Sequence, residues 1–307
     1  MDLTVGLQSG CANYFAESSL RPAFDNPGRL FTINSMPSDS LRSTLNRLES
    51  WFRQQEGVLV AFSGGVDSSL VAYLANKFMG NDRCMAVISA SPSLKMSELD
   101  GARAFARAHG IPLEVIVTRE MENPNYTSNP VDRCYYCKHT LYTELESMRN
   151  QYPGWLVVNG QNTDDLGDYR PGLKAAKEFE VRAPLGECEI DKAMVREVAA
   201  HFNLACWDKP ASPCLASRVP YGEEVTIEKL RQIERAEAVL ADHGFPVCRV
   251  RHFGEAARIE VPPETLESLN AKLGAIQVQL LGIGFARAEV DPEGFVSGKL
   301  NRVLDLA

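Results

Sequence analysis

A segment near the start of the chain combines residue types that could bind phosphate: Ser63-Gly64-Gly65-Val66-Asp67-Ser68-Ser69, directly after the apolar run 57–62. A strand that turns into a helix in this way points several backbone N–H groups at one place, which favours an anion. Gly64 and Gly65 let the backbone approach phosphate closely. The hydroxyls of Ser63, Ser68 and Ser69 add donors. The Gly-x4-Gly-Lys spacing of a Walker loop is absent, so the segment predicts another kind of nucleotide site, or else an ordinary glycine turn.

Three of the eight cysteines have a spacing that suggests sulfur or metal chemistry. Cys134-Tyr-Tyr-Cys137 is a C-x2-C pair, and Cys214 lies in Ser212-Pro-Cys-Leu-Ala-Ser-Arg218. Such a pair can be a redox dithiol, half a zinc site or part of an iron–sulfur site, or simply two structural thiols. No second C-x2-C pair completes a zinc site, whereas three thiolates suit a [4Fe–4S] cluster with one open iron. We expect the remaining cysteines in the core: Cys11, Cys84, Cys188, Cys206 and Cys248.

A second polar segment, 160–172, follows the apolar run 155–158. Asp164 and Asp165 could hold Mg²⁺, which prefers carboxylate and phosphate oxygens, and Arg170 could approach a phosphate. We expect Gly160, Asn162 and Asp164 to lie near the nucleotide. The alternative is a solvated acidic loop.

Arginines in a later segment suggest a further anion site. Arg249 and Arg251 are two residues apart in an alternating run, so both side chains should project from one face of a strand. Two guanidiniums on one face suit phosphate or carboxylate. Arg258 and Glu260 repeat the spacing, which a surface ion pair would also explain. Glu237, on a predicted helix, is a weaker candidate for a substrate contact because a charged helix face is usually solvated.

The elements that must position these residues alternate between strand and helix patterns. Apolar runs predict strands over 57–62, 84–88, 113–117 and 155–158. Apolar residues at helical spacing predict a helix capped by Ser38 or Ser40, and others over 67–79, 97–109, 138–150 and 191–202, the last capped by Asp191. This alternation predicts a Rossmann-like α/β fold, a parallel sheet with helices on both faces. Ligands bind such sheets beyond the carboxyl ends of the strands, where the 63–69 and 160–172 segments should meet.

The pattern changes after Pro210. A charged helix over 226–243 is followed by alternating strands over 247–252 and 257–261, a helix over 262–274 and a strand over 284–290. This predicts a smaller α+β domain. We therefore divide the chain into a polar arm (1–37), a nucleotide-binding domain (38–210) and a second domain (211–307).

Composition limits the function classes. The chain has 307 residues, 45% of them hydrophobic and 23% charged, which is typical of a folded protein. A net charge of −8 argues against a nucleic-acid partner. We find no signal peptide and no membrane-spanning run, which predicts a cytoplasmic protein with reduced cysteines.

The motifs together resemble those of a known family. The 63–69 segment is similar to the Ser-Gly-Gly-x-Asp-Ser loop of PP-loop ATP pyrophosphatases, which split ATP to AMP and pyrophosphate. With Arg133-Cys-Tyr-Tyr-Cys-Lys138, Asn162-Thr-Asp-Asp, Asp168-Tyr-Arg-Pro-Gly172 and Pro213-Cys-Leu-Ala-Ser-Arg218, it resembles the LarE family over roughly residues 40 to 290. That family contains ATP-dependent sulfur transferases that help to make the nickel-pincer nucleotide of lactate racemase.

The resemblance implies a reaction and roles for residues. ATP and Mg²⁺ would adenylate a carboxylate of a pyridinium mononucleotide, and sulfur delivered at Cys214 would convert it to a thiocarboxylate. The sulfur comes either sacrificially from Cys214 or through a [4Fe–4S] cluster on Cys134, Cys137 and Cys214, and the three cysteines favour the cluster. Lys138 and Ser217 would act beside the sulfur, and Arg249, Arg251 and Glu237 would bind the substrate nucleotide. The resemblance also implies a homo-oligomer, a trimer or hexamer.

Other functions share parts of this pattern. A PP-loop amide ligase would use ammonia and would not need the three cysteines. A PP-loop tRNA thiolase would need a basic RNA-binding surface, which the acidic composition does not favour. A nucleotide-sensing module without catalysis would bind ATP but release no pyrophosphate.

Overall fold

The computed structural model describes residues 38–167, 171–296 and 299, which lie within a unit that spans 37–307. The helices are α1 (Asp39–Arg53), α2 (Val66–Met79), α3 (Met96–Ala108), α4 (Pro124–Thr127), α5 (Arg133–Arg149), α6 (Pro171–Glu178), α7 (Pro184–Glu187), α8 (Lys192–His201), α9 (Ile227–Asp242) and α10 (Leu266–Ile283). The strands are β1 (Gly57–Ala61), β2 (Cys84–Ser89), β3 (Leu113–Ile116), β4 (Trp155–Val158), β5 (Arg249–Phe253), β6 (Ala256–Glu260) and β7 (Arg287–Val290). The predicted arm with Cys11, and Asp168, Tyr169 and Arg170, lie outside the described residues.

The first four strands form a parallel sheet in the order β3-β2-β1-β4. Because side chains alternate along a strand, Val58 and Val60 pack into the core beneath α1, α2 and α8. Leu59 and Ala61 pack into a second core with residues of α5 and α6. Burial on both faces explains why β1 is apolar throughout. The predicted fold class, a Rossmann-like parallel sheet with helices on both faces, is confirmed.

A smaller sheet follows in the last third of the chain. Strands β5 and β6 pair in antiparallel fashion, and β7 pairs parallel to β6. Val250 and Ile259 share a core with apolar residues of α9 and α10. The smaller α+β part is therefore present, and the domain boundary at residue 210 stays a prediction. Among the described residues, no helix is long and apolar enough to cross a membrane.

Capping residues in the sequence correctly predicted where two helices begin. The Ser38 side chain accepts a hydrogen bond from the Leu41 N–H at 3.1 Å, and the Asp191 side chain accepts one from the Met194 N–H at 2.8 Å. Both are N-caps, as the sequence predicts.

Two helices differ from the prediction. Helix α5 begins at Arg133, not Lys138, so the C-x2-C pair lies on its first turn rather than in front of it. Helix α10 runs through Gly274 to Ile283 and ends at Gly284, whose φ of 113° suits a helix terminus. Ile276 and Leu280 bury the extra turns in the core, and this packing outweighs the helix-breaking tendency of Gly274.

Parallel pairing fixes which loops meet. Val60 lies opposite Val158, and Ala61 lies opposite Val87, so β1, β2 and β4 end at one edge of the sheet. The 63–69 segment, the 90–95 loop and the 159–162 loop follow these ends, and residues of the first two line the cavity described next.

Candidate functional site

A cavity of about 480 Å³ lies at this edge of the sheet. On one side it is lined by the phosphate-type loop, including Ser63, Gly65 and Asp67. On the other side it is lined by Cys134, Cys137, Lys138 and Cys214. The loop and the three thiols, which lie up to 151 positions apart in the sequence, therefore line one cavity.

The 63–69 loop is held in shape by its own hydroxyls. The Ser68 hydroxyl accepts from the Ser63 N–H at 3.1 Å and donates to the Gly65 carbonyl at 3.2 Å. Gly64 has a φ of 73°, a conformation that glycine adopts without strain. Ser63 and Gly65 are left to face the cavity. Ser68 thus shapes the loop, while Ser69 is buried beside Cys206 and does not line the cavity.

Asp67 joins the two predicted nucleotide loops. Its carboxylate accepts from the Asn162 side-chain amide at 3.0 Å and also pairs with the Lys192 ammonium. Gly160 makes this approach possible, because a Cβ there would lie 2.6 Å from the Ser68 nitrogen. The meeting of the two loops at one edge is confirmed.

Asp164 and Asp165 serve the backbone in the described structure. The Asp164 carboxylate accepts from the Lys192 N–H at 3.2 Å, and that of Asp165 accepts from the Asn162 N–H at 3.1 Å. Neither side chain lines the cavity, whereas the carboxylate of Asp67 does. Their role as Mg²⁺ ligands stays a prediction.

Three cations beside the loop were missed by the sequence reasoning: Lys192, Arg196 and Lys209. The Lys209 ammonium donates to the Gly64 carbonyl at 3.1 Å and to the Glu98 carboxylate at 2.5 Å. Lys192 is the first residue of α8, next to the predicted cap Asp191. Lys192 and Arg196 lie on α8 and Lys209 follows it, so no spacing relates these residues to the 63–69 loop, and only the fold brings them to it.

The three cysteines reach the cavity from two elements. Cys134 and Cys137 lie three residues apart on the first turn of α5 and therefore share a helix face. Cys214 immediately precedes a 3₁₀ turn, Leu215–Arg218. All three are free thiols that are exposed or half-buried, whereas Cys84, Cys188, Cys206 and Cys248 are buried, as predicted.

Buried polar contacts hold the two cysteine segments together. The Arg133 guanidinium donates to the Ala216 carbonyl at 2.9 Å and to the Asn129 side chain. The Asn129 amide in turn donates to the Val219 carbonyl at 3.2 Å. The Leu215 N–H donates to the Ser93 carbonyl at 2.7 Å, which fixes Cys214 beside the 90–95 loop. Asn129, Arg133 and Ser93 are thus positioning residues; Arg133 belongs to a quoted motif that gave it no role, and Asn129 and Ser93 lie outside the motifs.

The thiols and Lys138 influence one another. Burial raises the pKa of the Cys137 thiol to about 12, and Lys138 acts in the opposite direction. Although Cys134 as a residue is exposed, desolvation by the surrounding protein raises the pKa of its thiol, and the nearby Cys214 adds to the effect. Although burial opposes its charge, Tyr142 and the three thiols raise the pKa of Lys138. Lys138 is therefore a cation that faces the sulfur atoms.

Glu237 is buried, not part of a solvated helix face. Its carboxylate accepts from the Arg218 Nε at 2.8 Å and from the Val250 N–H at 3.0 Å, and it pairs with Lys95. Burial alone would raise the pKa of Glu237, but Arg218 and Lys95 hold it below the ordinary value. These contacts connect α9, β5 and the segment after Cys214, and the predicted substrate contact stays a prediction.

Arg249 and Arg251 both reach the 211–217 segment, which places them on one side of β5. Arg249 donates to the Ala211 carbonyl at 3.3 Å, and Arg251 donates to the Ser217 carbonyl at 2.7 Å. Arg251 also pairs with the buried Glu260 at 2.8 Å, so Glu260 does not form a surface pair with Arg258. Neither Arg249 nor Arg251 lines the 480 Å³ cavity.

Arg249 lacks a carboxylate partner in the described part of the chain. Burial lowers its pKa to about 10, and the nearby Arg218 adds to the effect. Its guanidinium lies 4.8 Å from the centre of the Phe295 ring. Glu237 offsets part of this shift but forms no ion pair with Arg249, so the buried guanidinium is a suitable place for an anion.

Within the described residues, no three His, Cys, Asp or Glu side chains are grouped to hold a single metal ion. A four-iron cluster makes a different demand, because each thiolate binds a different iron and the thiolates stay apart. Three free thiols around one cavity, with the cations Arg133 and Lys138 beside them, fit that wider donor set.

Comparisons with known proteins cover most of the chain. The NAD synthase family model matches residues 38–126. The chain is 46% identical to an uncharacterised protein of Synechocystis, over 86% of this chain and 99% of the relative. It is 34% identical to the pyridinium-3,5-bisthiocarboxylic acid mononucleotide synthase of Lactiplantibacillus plantarum, over 81% of this chain and 91% of the relative. An uncharacterised protein of Methanocaldococcus jannaschii is 29% identical over 74% of this chain.

Proposed function

Because the chain belongs to the LarE family of PP-loop enzymes, we propose that it is an ATP-dependent sulfur transferase that acts on a pyridinium mononucleotide. In this proposal it adenylates a carboxylate of the substrate and then replaces one carboxylate oxygen with sulfur. The observation that carries the proposal is the single cavity shared by the 63–69 loop and the three cysteines. Activation and sulfur delivery can then act on one bound carboxylate.

The first step needs a phosphate site. A carboxylate oxygen of the substrate attacks the α-phosphorus of ATP, the bond to the β-phosphate oxygen breaks, and pyrophosphate leaves. The loop amides and the cations Lys192, Arg196 and Lys209 are available to hold the departing phosphates. Asp67 and Glu98 both line the cavity, and Asp67 belongs to the phosphate-type loop itself, so it is our candidate to hold Mg²⁺ with the triphosphate.

The second step needs a sulfur nucleophile. Sulfur at Cys214 attacks the carbonyl carbon of the acyl-adenylate, the bond to the AMP oxygen breaks, and AMP leaves with the electron pair. Lys138 supplies positive charge close to the thiols, and Ser217 belongs to the turn that follows Cys214. In a sacrificial reaction, loss of the Cys214 Cα proton and cleavage of its Cβ–S bond would release the thiocarboxylate and leave dehydroalanine.

The sulfur source is proposed to be a [4Fe–4S] cluster held by Cys134, Cys137 and Cys214. When bound through three thiolates, such a cluster leaves one iron open for an exogenous sulfur ligand. Arg133 and Lys138 would offset the negative charge of the thiolates. The free thiols around the cavity support this version, because a sacrificial reaction needs only Cys214.

The substrate phosphate is proposed to bind near Arg249 and Arg251. Arg251 already forms an ion pair with Glu260, whereas Arg249 forms none with a described carboxylate. We therefore expect the substrate phosphate to bind at Arg249. Glu237 would then hold this site in place through its contacts with Arg218 and the backbone of β5. We also propose a homo-oligomer, trimer or hexamer, which light scattering can measure.

The test is anaerobic purification followed by a single turnover with ATP, Mg²⁺, the carboxylated pyridinium mononucleotide and sodium sulfide, which supplies the sulfur atom in the cluster version. We expect pyrophosphate, AMP and a sulfur-containing product, all lost in Asp67→Asn. About four irons per chain and an unchanged protein mass would support the cluster. A loss of about 34 Da at Cys214, the mass of hydrogen sulfide, would instead support sacrifice.

The triple variant Cys134→Ala, Cys137→Ala, Cys214→Ala separates the remaining functions. We expect it to release pyrophosphate but to make no sulfur-containing product, because the 63–69 loop is untouched. Full activity with ammonia in this variant would indicate an amide ligase and contradict the proposal. Sulfur transfer to tRNA, or ATP binding without pyrophosphate release by the natural chain, would contradict it as well.

A further inference from the structure

Tyr126 is a buried tyrosine beside the cysteines whose hydroxyl has no hydrogen-bond partner among the described residues. It lies on α4 with 1% of its surface exposed. Its ring belongs to a core cluster with Leu215 and Val219, against which Cys137 and Cys214 pack. The same side chain lines the cavity. The hydroxyl is therefore on the thiol side of the site.

A second orphan atom lies close to the same wall of the cavity. Glu120 is 1% exposed, and only one of its carboxylate oxygens has a partner, the Ser91 hydroxyl. Ser91 also accepts from the Ser93 N–H at 3.0 Å and contacts the Ser93 hydroxyl at 2.8 Å. Ser93 approaches the phenol of Tyr126 without making a hydrogen bond of ordinary geometry. Ser91 is thus occupied by Ser93 and Glu120, and the described geometry contains no hydrogen bond between Ser93 and the phenol.

An unsatisfied buried hydroxyl costs free energy, and most buried tyrosines avoid it. Phenylalanine would fill the same volume without this cost. The hydroxyl is therefore explained best by a partner that is present only when the site is loaded. Cys137 and Cys214 pack against the same cluster as its ring and line the same cavity, so sulfur held by the cysteine group is the candidate partner.

We propose that the Tyr126 hydroxyl donates a hydrogen bond to the sulfur that the cysteine group presents to the activated carboxylate. Tyr126 is then a positioning residue, which holds this sulfur in line with the carbonyl carbon. The inference rests on the proposed function. The sulfur meant is a sulfide bound beside the three cysteines, since the Cys214 sulfur of the unloaded protein makes no hydrogen bond with the Tyr126 hydroxyl.

The test uses Tyr126→Phe in the full-length protein, before and after anaerobic loading with ferrous iron and sodium sulfide. Before loading, we expect an unfolding temperature equal to or above that of the natural chain, because an unpartnered hydroxyl has been removed. After loading, we expect an unchanged iron content. In a single turnover we expect about ten-fold less sulfur-containing product per pyrophosphate released, since a hydrogen bond to a charged acceptor is lost.

Tyr142→Phe is the matched control for stability. Tyr142 is also buried, but its hydroxyl accepts from the Asn159 amide at 3.4 Å. Loss of this partner should lower the unfolding temperature of the unloaded protein by about 2–4 °C. If Tyr126→Phe lowers the unfolding temperature of the unloaded protein by a similar amount, the Tyr126 hydroxyl already has a structural partner and the inference is wrong.

An unchanged ratio of product to pyrophosphate in Tyr126→Phe would also overturn the inference. The iron content and intact mass of the natural chain show whether the transferred sulfur is the added sulfide or the sulfur of Cys214. Failure of the proposed function is distinguishable, because it would be seen in the natural chain as absent product. The inference, in contrast, is decided by the difference between Tyr126→Phe and the natural chain.

Discussion

At the scale of single residues, Gly160 decides whether the two nucleotide loops can touch. A Cβ at this position would lie 2.6 Å from the Ser68 nitrogen and 2.8 Å from the Asp67 carbonyl carbon. Both atoms belong to the backbone of α2 and cannot move aside as the end of a side chain can. Glycine is thus needed for the close approach that lets Asn162 reach Asp67 at 3.0 Å.

We predict that Gly160→Ala lowers the free energy of unfolding by about 1–3 kcal/mol, because the loops must separate to admit a methyl group. Pyrophosphate release should fall with it, since Asp67 loses its partner. Urea denaturation and a pyrophosphate assay measure the two effects. Gly101→Ala is the control: Gly101 lies within α3 with nothing near its Cβ position, so alanine should stabilise by about 0.5–1 kcal/mol. Equal effects of the two substitutions would contradict the steric argument.

At the scale of elements, helix starts supply the charged and reactive groups. Lys192 begins α8, and Cys134 and Cys137 occupy the first turn of α5. The predicted cap at Asp191 was correct, but a cap identifies a helix end and not what that end faces. The start of α5 was predicted too late because Arg133, through Ala216 and Asn129, ties its first turn to distant residues. Such contacts override local helix propensity.

We predict that Lys192→Met raises the KM for ATP about ten-fold or more, because a charged hydrogen-bond donor to phosphate is lost. The free energy of unfolding should change by less than about 1 kcal/mol, since the pair with Asp67 is partly exposed. Steady-state pyrophosphate release at varied ATP concentration provides the KM. Lys272→Met, on the exposed side of α10, should leave the KM unchanged. A KM for Lys192→Met equal to that of the natural chain would remove Lys192 from the phosphate site.

At the scale of the whole molecule, buried charges connect the smaller sheet to the segments around the cavity. The Glu237 carboxylate, on α9, accepts hydrogen bonds from the Arg218 guanidinium and the Val250 N–H. It also pairs with Lys95, which lines the cavity. The Met96 N–H also donates to the Glu234 carboxylate at 2.6 Å. Removing one partner of a buried ion pair leaves the other charge uncompensated, which costs more than the pair itself contributes.

We predict that Glu237→Gln lowers the free energy of unfolding by about 3 kcal/mol at pH 7, measured by urea denaturation. The pKa of Glu237 is held below its ordinary value when folded, so its stabilisation is complete above the unfolded pKa of about 4.3. It is lost as the pH falls through the lower, folded pKa. The difference between the variant and the natural chain should therefore shrink in acid. Glu49→Gln, which breaks only an exposed pair with Arg53, should change stability by less than about 0.5 kcal/mol at either pH. A pH-independent difference for Glu237→Gln would contradict the buried ion pair.

The sequence by itself determined the features that depend on local order. Periodicity and apolar runs predicted the strands β1 to β4 and most helices, because side-chain alternation and helical spacing follow from backbone geometry alone. The glycines and hydroxyls of 63–69 identified the phosphate-type loop. Parallel strands then placed Gly160 and Asn162 at its edge of the sheet.

Only the tertiary structure decided which charges are buried and what they face. Helical position made Glu237 only a weak candidate for a substrate contact, because such a residue is usually solvated, yet it is buried by Arg218, Lys95 and β5. The cations Lys192, Arg196 and Lys209 and the orphan hydroxyl of Tyr126 gave no signal in the sequence. Their surroundings come from segments far apart in the chain. A residue's pKa, partners and access to the cavity depend on those surroundings, and no local pattern records them.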